Sequence, residues 1–508
     1  MDSEDRARGK NEARNDARRC SFPPEPGARE QPLAPTAGAL LGLALALPCA
    51  LWLWGFTVDD ALISTRVAHH WIHGLGYRFN VPGETVDAVT PLGWAAAIAP
   101  LCWQGSWEGL MWVRHASTLA HVGTFLLLAV RAAQLPQKLN LSTSVWLLAL
   151  AVANLPWSAW ATSGMETPWV TLLCAIALRP GLPCSLARGM AASLRPELIP
   201  WALVLTVLLP TSSRRTKVSQ LCLVAAFPLA VAITRQIVFG WAAPLAVFAK
   251  PSDLASGISY ALNGLWLLGI PLLWLSGRSW ASLPSEARAI ATATVTHFGA
   301  VAVAGGDWMA LFRLLVPMLP GFVWVSLQLL QHDPRWLRLG KFGLASAATL
   351  LLLISKGSDA RSVVAARSEL LIAARPVLAG SSRIATLDVG WVSAARDRTI
   401  IDLAGVTDPQ VAYLPGGHTS KRLPRDFLRR RRVDTLVLLL PSGVNDLALA
   451  DWRELPFARQ VERRVTRLDD ANQFVPIARL PLGSTGQSYL VLRRLGERLA
   501  ERRHRQPL

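Results

Sequence analysis

The sequence predicts a polytopic α-helical membrane protein with about 11 spans, followed by a C-terminal α/β domain. Two observations on composition support this fold class. Hydrophobic residues make up 52% of the 508 residues and charged residues only 17%, whereas soluble domains usually carry about 25% charge. The apolar residues also form long charge-free runs up to residue 355, and about 20 such residues suffice for a membrane-spanning helix.

The formal net charge of +18, from 52 Lys and Arg against 34 Asp and Glu, has to be explained. In a soluble chain such an excess would indicate nucleic-acid binding. Beside membrane spans, however, Lys and Arg set topology and meet anionic lipid. We therefore expect contact with membrane lipid and no nucleic-acid partner. The six Cys form no CxxC pair, which is typical of buried apolar side chains rather than of a disulfide framework or zinc site.

The N-terminal region divides into a tail and an anchor. Residues 1–30 hold seven basic and seven acidic side chains with interspersed Pro and Gly, a composition typical of a disordered tail. Residues 31–58 carry no charge over 28 positions and are predicted to be an uncleaved signal anchor. Loops rich in Lys and Arg favour the cytoplasmic side. The tail is predicted to be cytoplasmic because that orientation also places the later basic loops in the cytoplasm.

A transmembrane region over 31–355 is predicted from further charge-poor runs. They are 88–107, 115–130, 139–165, 198–213, 218–234, 236–249, 254–277, 289–306, 314–331 and 342–355. The basic loops expected to face the cytoplasm are 131–138, 179–188, 211–217, 278–288 and 332–341. One arrangement satisfies all of them: 88–107 lies along the outer interface, and 189–210 forms two half-helices broken at Pro196. An alternative treats 88–107 as a full span.

Residues 356–508 change character and are predicted to form an extracytoplasmic α/β domain. They contain 26 Lys and Arg and 16 Asp and Glu, but long domains translocate largely regardless of charge. Short β-rich runs are separated by helical stretches such as 420–432. These runs are RIATLDVGWV, RTIIDLAGV, VDTLVLLLP and SYLVLRR.

Two adjacent acids, Asp59 and Asp60, directly follow the first predicted span. A solvated carboxylate at a membrane exit costs little, so one interpretation is a charge that simply ends the helix. The acids are followed by an amphipathic stretch in which Arg66 and His70 are one helical turn apart, and then by a Gly-rich loop. This context also favours a functional acid.

Other ionisable residues interrupt apolar sequence, where they are costly and usually face a partner or a cavity. They are Glu166, Arg195, Glu197, Lys250, Asp307 and Arg313. Structural ion pairing, such as Arg195 with Glu197 or Glu166, remains open for each. In the predicted topology all of them fall toward one external face, which indicates a polar cavity that opens outward. Trp308, directly beside Asp307, is a further candidate for this cavity, although Trp is also typical of a membrane-interface belt.

Seven motifs in order resemble the GT-C superfamily of membrane glycosyltransferases. The chain is most similar to the bacterial branch that includes the terminal arabinofuranosyltransferases of actinobacterial cell walls. The motifs are DDALISTRV, GYRFNVPGE, SGMETPW, LRPEL, FGWAAPLAVFAK, GGDWMALFRLLVP and DLAGVTD.

The resemblance implies a reaction and roles for residues. A polyprenyl-phosphate-linked sugar would be the donor, and a glycan or glycolipid on the outer face the acceptor. Asp59 would be the catalytic base, with Asp60 its neighbour, and direct displacement would invert the anomeric centre. Arg195, Lys250 and Arg313 are candidates for binding the donor phosphate, with Arg195 the strongest because its fork can hold a phosphate through two hydrogen bonds.

The remaining residues and alternatives complete the hypothesis. Arg66, Glu166, Glu197, Asp307 and Trp308 are expected to line the substrate cavity. No cofactor is required. The His residues lack the spacing of metal ligands, so a His metal site is not expected. A divalent metal bound by the acids stays compatible with the sequence. The alternative functions are a transporter or flippase of lipid-linked sugars and a membrane sensor. Transporters often carry broken helices in both halves. Here the sequence predicts one broken helix, near Pro196, and no counterpart in the second half, which favours the enzyme.

Overall fold

The computed structural model describes residues 35–134, 141–275, 280–444 and 451–495. These segments are mostly helical, with one small sheet in the C-terminal part. The predicted tail at 1–30 lies outside the described residues, as do Lys138 and Arg278 of the predicted basic loops.

The α-helices in the N-terminal and central parts are α1 (Pro35–Trp52), α2 (Asp59–Ile72), α3 (Leu92–Ile98), α4 (Ser106–Ala133), α5 (Leu141–Val152), α6 (Leu155–Ala161), α7 (Thr167–Ile176), α8 (Leu182–Leu194), α9 (Ile199–Leu208), α10 (Arg214–Phe239), α11 (Leu245–Ala249), α12 (Leu254–Leu267), α13 (Ser285–Val303), α14 (Leu319–Leu330) and α15 (Arg335–Val377). The C-terminal part adds α16 (Val389–Ala395), α17 (Pro409–Ala412), α18 (Phe427–Arg430) and α19 (Gln460–Val465).

Among the described residues, three helices are long and apolar enough to cross a membrane: α4, α10 and α15. The pair α5 and α6, bent by 58°, would make a fourth if it counts as one span. Several other apolar helices are shorter. The mostly helical prediction is confirmed, whereas helix length and composition support three or four spans, and the figure of about 11 stays a prediction.

Two irregular segments match particular sequence signals. The residue before a proline is disfavoured in the α conformation, and Arg195 is extended at φ −135° and ψ 99° between the end of α8 and a 3₁₀ turn over Pro196–Leu198. The break predicted at Pro196 is therefore present. Within the run 88–107, α3 has only 7 residues, which is far too short for a span.

The long helix α15 joins the two parts of the chain. It has 43 residues and is therefore about 65 Å long, and it crosses the predicted domain boundary at 355/356 without interruption. Its middle packs on the end of α1 and on the residues just after it: the Val364 N–H donates to the Gly55 carbonyl at 2.8 Å. A Cβ at Gly357 would lie 2.6 Å from the Trp52 ring, so the two helices are in close contact there.

The C-terminal sheet has five strands in the order β2–β1–β3–β5–β4. They are β1 (Arg383–Thr386), β2 (Thr399–Asp402), β3 (Thr435–Leu440), β4 (Phe474–Pro481) and β5 (Ser488–Arg494). Strand β1 is parallel to β2 and β3, whereas β5 is antiparallel to β3 and β4. The four predicted strands are confirmed. The predicted helix at 420–432 is limited to α18.

Side chains on the two faces of the sheet join different cores. Alternate residues of a strand point to opposite faces. Val437 and Leu439 of β3 belong to the large core shared with the helical part, and Leu436 and Leu438 to a second core covered by α18 and α19. The sheet is thus packed against the helical part along one face, and this places its loops beside the start of α2.

Candidate functional site

A polar cavity of about 170 Å³, here called the charged cavity, lies where the helical and C-terminal parts meet. Its walls come from the start of α2, the segments before α3, α7 and α14, the break after α8, and α11. Val406 is the lining residue from the C-terminal part. The charged lining residues are Asp60, Glu166, Arg195, Glu197, Lys250, Asp307 and Arg313. All seven are predicted site residues, whereas Asp59, Arg66 and Trp308 are not part of this lining.

Arg195 is engaged by carboxylates within the charged cavity. The extended backbone at the break aims its guanidinium at Glu166, with which it makes a short ion pair. A second ion pair, to Glu197, measures 3.4 Å, and Nη2 also donates to the Thr167 hydroxyl at 3.2 Å. Glu166 is only 1% exposed, and a buried carboxylate needs a partner. The geometry therefore matches the structural pairing that the sequence left open.

Arg313 joins two acids from different segments. Its Nε and Nη2 both lie 2.9 Å from Asp307 Oδ2, which is ordinary hydrogen-bond distance. Its Nη1 lies 3.7 Å from Asp60 Oδ2, too far for a hydrogen bond. Arg313 is thus tied to Asp307 and attracts Asp60 only through space.

Asp60 is the most accessible carboxylate of the charged cavity. The exposed fractions of the four acidic side chains are 22% for Asp60, 14% for Glu197, 6% for Asp307 and 1% for Glu166. The others are held by direct hydrogen bonds or a short ion pair to an arginine. Asp60 is therefore the acid best placed to meet a ligand.

The turn that carries Asp307 depends on glycine. Gly306 has φ +72°, and a Cβ there would lie 2.7 Å from the Cβ of Tyr260. Any other residue would be disfavoured both by the positive φ and by a clash of its Cβ with Tyr260. Past this turn, Asp307 Oδ1 accepts a hydrogen bond from the Met309 N–H at 3.3 Å, which fixes the carboxylate toward Arg313.

The backbone before Arg313 is strained. Leu311 and Phe312 have φ of 63° and 51°, conformations that cost about 1–3 kcal/mol each in non-glycine residues. The indole Nε1 of Trp160, a fully buried side chain, donates to the Leu311 carbonyl at 2.8 Å and holds this shape. Such strain concentrates at functional sites, and here it turns Arg313 back into the charged cavity.

Asp59 lies against the C-terminal part rather than in the charged cavity. Its Oδ2 accepts from the Gly390 N–H at 2.7 Å and its Oδ1 from the Trp391 N–H at 2.9 Å. Consecutive helix residues point about 100° apart, so only one acid of the pair can face each way. A Cβ at Gly390 would lie 2.2 Å from the Asp59 carbonyl oxygen, which shows how closely the two segments approach.

Arg66 also holds the two parts together. Its guanidinium donates to the carbonyls of Phe79, Ser393 and Arg398 at 2.6, 3.1 and 2.9 Å. It also makes a 3.0 Å ion pair with Asp397. The side chain is 3% exposed, and its donors are occupied by the protein. The role of Arg66 in this geometry is thus positional.

The Trp308 ring contacts Lys250 of the charged cavity and His418 of the C-terminal part. Lys250 Nζ is 5.4 Å from the Trp308 ring centroid, and the Trp308 and His418 rings are 5.4 Å apart. Lys250 makes no ion pair with any described carboxylate. Trp308 is 53% exposed, so part of its ring is open to a ligand.

His418 is a residue that the sequence analysis missed. Its Nε2 is buried and has no hydrogen-bond partner among the described residues. Burial, and secondarily the charge of Lys250, lowers the pKa of His418 to about 4, so the ring is neutral near pH 7. Neighbouring glycines indicate a loop, but nothing in the spacing connects position 418 with Trp308.

A second group that the sequence missed lies behind Asp59. Asp388 accepts hydrogen bonds from the Tyr489 hydroxyl at 2.6 Å and from Arg459 Nη2 at 2.5 Å. Arg367 of α15 donates to the same Tyr489 hydroxyl at 3.3 Å. The network joins four separate segments of the chain and supports the surface on which Asp59 rests.

The environment of Asp59 predicts a pH-dependent contact between the two parts. Burial, and secondarily the Asp388 carboxylate, raises the pKa of Asp59 from 3.8 to about 6. An acid whose pKa is raised by folding contributes most to stability below its unfolded pKa, and this contribution is lost as the pH rises through the folded value. We expect the thermal unfolding midpoint to fall, relative to that of Asp59→Asn, as the pH rises from about 4 to 7.

The measurement is the pH dependence of the thermal unfolding midpoint, compared between the wild type and Asp59→Asn. Burial raises the pKa of Glu462 to about 7, but this group is common to both proteins and cancels in the difference. Parallel pH curves for the wild type and Asp59→Asn would contradict the assignment.

Comparisons with known proteins reach only the C-terminal part. Residues 366–489 match a family profile described as a domain of unknown function (DUF8728). No curated protein and no solved structure matches the chain. The matched segment contains the end of α15, His418, and those residues of the C-terminal part that bind Asp59 and Arg66. In the part of the chain that the structure describes, no three His, Cys, Asp or Glu side chains group as metal ligands would.

Proposed function

We propose that the chain is a polytopic membrane glycosyltransferase of the GT-C type. It would move a sugar from a polyprenyl-phosphate-linked donor to an external glycan or glycolipid acceptor. The observation that carries the proposal is the charged cavity, where two groups line one space. They are an accessible carboxylate, Asp60, and a cation, Lys250, that has no carboxylate partner among the described residues. The seven ordered motifs that resemble the superfamily add to it.

Asp60 is the proposed general base. The acceptor hydroxyl has to lose its proton as it attacks the anomeric carbon, and a positioned carboxylate can accept that proton. Asp60 is preferred over Asp59 because both oxygens of Asp59 already accept backbone N–H groups. Attack on the sugar opposite the leaving phosphate breaks one bond as the other forms and inverts the anomeric centre.

Lys250 is the proposed ligand of the donor phosphate. The leaving group is a lipid phosphate, which needs a cation to stabilise its charge. Arg195 and Arg313 are both paired with acids within the cavity, so a phosphate would have to compete with those acids for them. Lys250 has no such competitor among the described residues, and the order of candidates from the sequence, with Arg195 first, is revised accordingly.

The surface of α10 supports a membrane location. Leu229, Ile233 and Ile237 are 59%, 51% and 78% exposed. A continuous apolar surface of this kind indicates contact with lipid or a partner. Arg214, Arg215 and Lys217 lie at the start of the helix, where the positive-inside rule would place the cytoplasm.

The same topology puts the charged cavity and the C-terminal part outside. At about 65 Å, α15 is roughly twice as long as a bilayer core of about 30 Å is thick. Its second half, from the contact between Gly357 and Trp52 onward, therefore extends beyond the membrane at the level of Asp59 and Asp60. The apolar helices too short to span alone would complete the proposed total of about 11 spans as tilted or broken segments.

Transfer by the purified full-length protein in lipid vesicles tests the proposal. We expect a labelled sugar to pass from one member of a panel of polyprenyl-phosphate sugars to an oligosaccharide acceptor. Lys250→Gln should raise the donor KM about tenfold or more, because a charged hydrogen bond to phosphate is lost. The acceptor KM should change little.

Lys356→Gln, which removes an exposed lysine of α15, is the matched control and should behave as the wild type. Movement of the lipid-linked sugar across the vesicle membrane without transfer would instead support the alternative, a flippase. An unchanged donor KM in Lys250→Gln would remove Lys250 from the donor site.

Cysteine labelling tests the topology. In a background without native cysteines, Ser442→Cys should react with a membrane-impermeant maleimide in intact cells, because exposed Ser442 lies in the proposed external part. Ser212→Cys, exposed in the loop before α10, should react only after the membrane is permeabilised. The reverse pattern would contradict an external C-terminal part.

A further inference from the structure

A second cavity, of about 160 Å³ and here called the aromatic cavity, lies beside the charged cavity. The two share walls. Along α11 and the residue after it, Leu245 and Phe248 line the aromatic cavity, whereas Ala246 and Lys250 line the charged one. Along the chain before α3, residues 84–87 line the first and 88–91 the second. Since α11 has 5 residues and is thus about 8 Å long, the two cavities are neighbours.

Three aromatic rings from three segments meet at the aromatic cavity. Trp241 follows α10, Phe248 belongs to α11, and Tyr413 follows α17 in the C-terminal part. The ring centroids are 5.5 Å apart for Trp241 and Phe248, 5.8 Å for Trp241 and Tyr413, and 5.2 Å for Phe248 and Tyr413. Trp241 and Tyr413 are 53% and 47% exposed. The group therefore offers open aromatic faces rather than a filled core.

Asp87 supplies a polar group in the same wall. Its side chain is 4% exposed, and its Oδ2 accepts from Arg235 Nε at 2.8 Å and from the Leu245 N–H at 3.3 Å. The other oxygen, Oδ1, is buried without a hydrogen-bond partner among the described residues. An unsatisfied buried carboxylate oxygen is costly, so a donor from a ligand would explain why it is kept.

The chemistry of the aromatic cavity differs from that of its neighbour. Among the residues that the structure describes, its lining contains two acids, Glu84 and Asp87, and no Lys or Arg, so it is poorly suited to a phosphate. Aromatic faces attract the weakly positive C–H groups of a ligand, and a carboxylate oxygen accepts hydrogen bonds from hydroxyl groups. A neutral ligand with hydroxyl groups and a C–H face, which is a sugar, satisfies both.

We propose that the aromatic cavity binds a neutral sugar unit of the acceptor glycan, next to the unit that receives the transferred sugar. This inference rests on the proposed function. Trp241, Phe248 and Tyr413 hold the C–H face of the sugar, and Asp87 Oδ1 accepts one of its hydroxyl groups. The C-terminal part thereby takes part in acceptor binding through Tyr413.

Saccharide binding without any donor tests this site directly. The purified full-length protein in detergent is titrated with arabinohexaose, mannohexaose and maltohexaose, and binding is followed by saturation-transfer NMR. We expect at least one of them to bind the wild type. Trp241→Ala should weaken that binding about 2- to 10-fold, the range expected for the loss of one aromatic contact, whereas Trp241→Phe should retain most of it.

Trp103→Ala is the matched control, because Trp103 is 61% exposed but does not line this cavity. It should bind saccharide as the wild type does. In the transfer assay, Trp241→Ala should raise the acceptor KM and leave the donor KM unchanged.

Several results would overturn the proposal. One is that none of the three saccharides binds, and another is that Trp241→Ala binds as the wild type does. A third is an equal loss of saccharide binding in Trp241→Ala and Trp103→Ala, which would indicate that both side chains are membrane-interface anchors. Failure of the proposed function is distinguishable: Trp241-dependent saccharide binding without transfer from any donor would contradict the glycosyltransferase and leave the saccharide site standing.

Discussion

Replacing Asp60 by asparagine is expected to lower the rate of sugar transfer by about 10²–10⁴-fold, the usual cost of losing a general base. The amide keeps the shape of the carboxylate but cannot accept the proton of the acceptor hydroxyl. The protein should stay folded, because Asp60 lies 3.7 Å from Arg313 and makes no hydrogen bond to it. The measurement is kcat at saturating donor and acceptor, together with the thermal unfolding midpoint.

Asp59→Asn is the matched control for Asp60→Asn, since it makes the same chemical change one residue earlier. The asparagine NH₂ group then faces the N–H donor of either Gly390 or Trp391, and that donor loses its acceptor. We therefore expect a lower unfolding midpoint at low pH and a much smaller loss of kcat. If Asp59→Asn instead abolished transfer in a stable protein while Asp60→Asn remained active, the base would be Asp59, as the resemblance alone implies.

The broad architecture could be predicted because it depends on local patterns. Charge-poor runs, the Pro196 break and four strands each have a signal within a short window of sequence. Strand β4 has no such signal, because Pro476 and Pro481 lie within it and proline cannot donate to a ladder. The structure places it at the edge of the sheet with a register shift between Pro476 and Ala478, where such residues are tolerated.

The charged residues of the cavity could also be chosen from the sequence. An ionisable side chain in apolar sequence is costly, so it has to meet a partner or a cavity. What the sequence could not provide was orientation. The different directions of Asp59 and Asp60 depend on how the C-terminal part packs on α2, and this contact joins residues more than 300 positions apart. His418 reaches Trp308 through another contact between segments that are distant in sequence.

Removal of Arg195 should have the largest effect on stability. Arg195→Met leaves Glu166, which is 1% exposed, without its closest cation. Breaking a buried pair by removing one partner typically costs about 3–5 kcal/mol. We expect a correspondingly lower free energy of unfolding, measured by denaturant titration in detergent. Glu197→Gln should cost much less, because Glu197 is 14% exposed and lies 3.4 Å from the arginine.

The double variant Arg195→Met with Glu166→Gln separates a structural pair from a phosphate ligand. If the two side chains serve mainly to neutralise each other, removing both charges should restore much of the stability lost in Arg195→Met, because no buried charge is left unpaired. The donor KM of the double variant should then stay close to that of the wild type. A stable Arg195→Met protein with a donor KM raised tenfold or more would contradict this assignment. Arg195 would then join Lys250 as a ligand of the donor phosphate, as its planar fork permits.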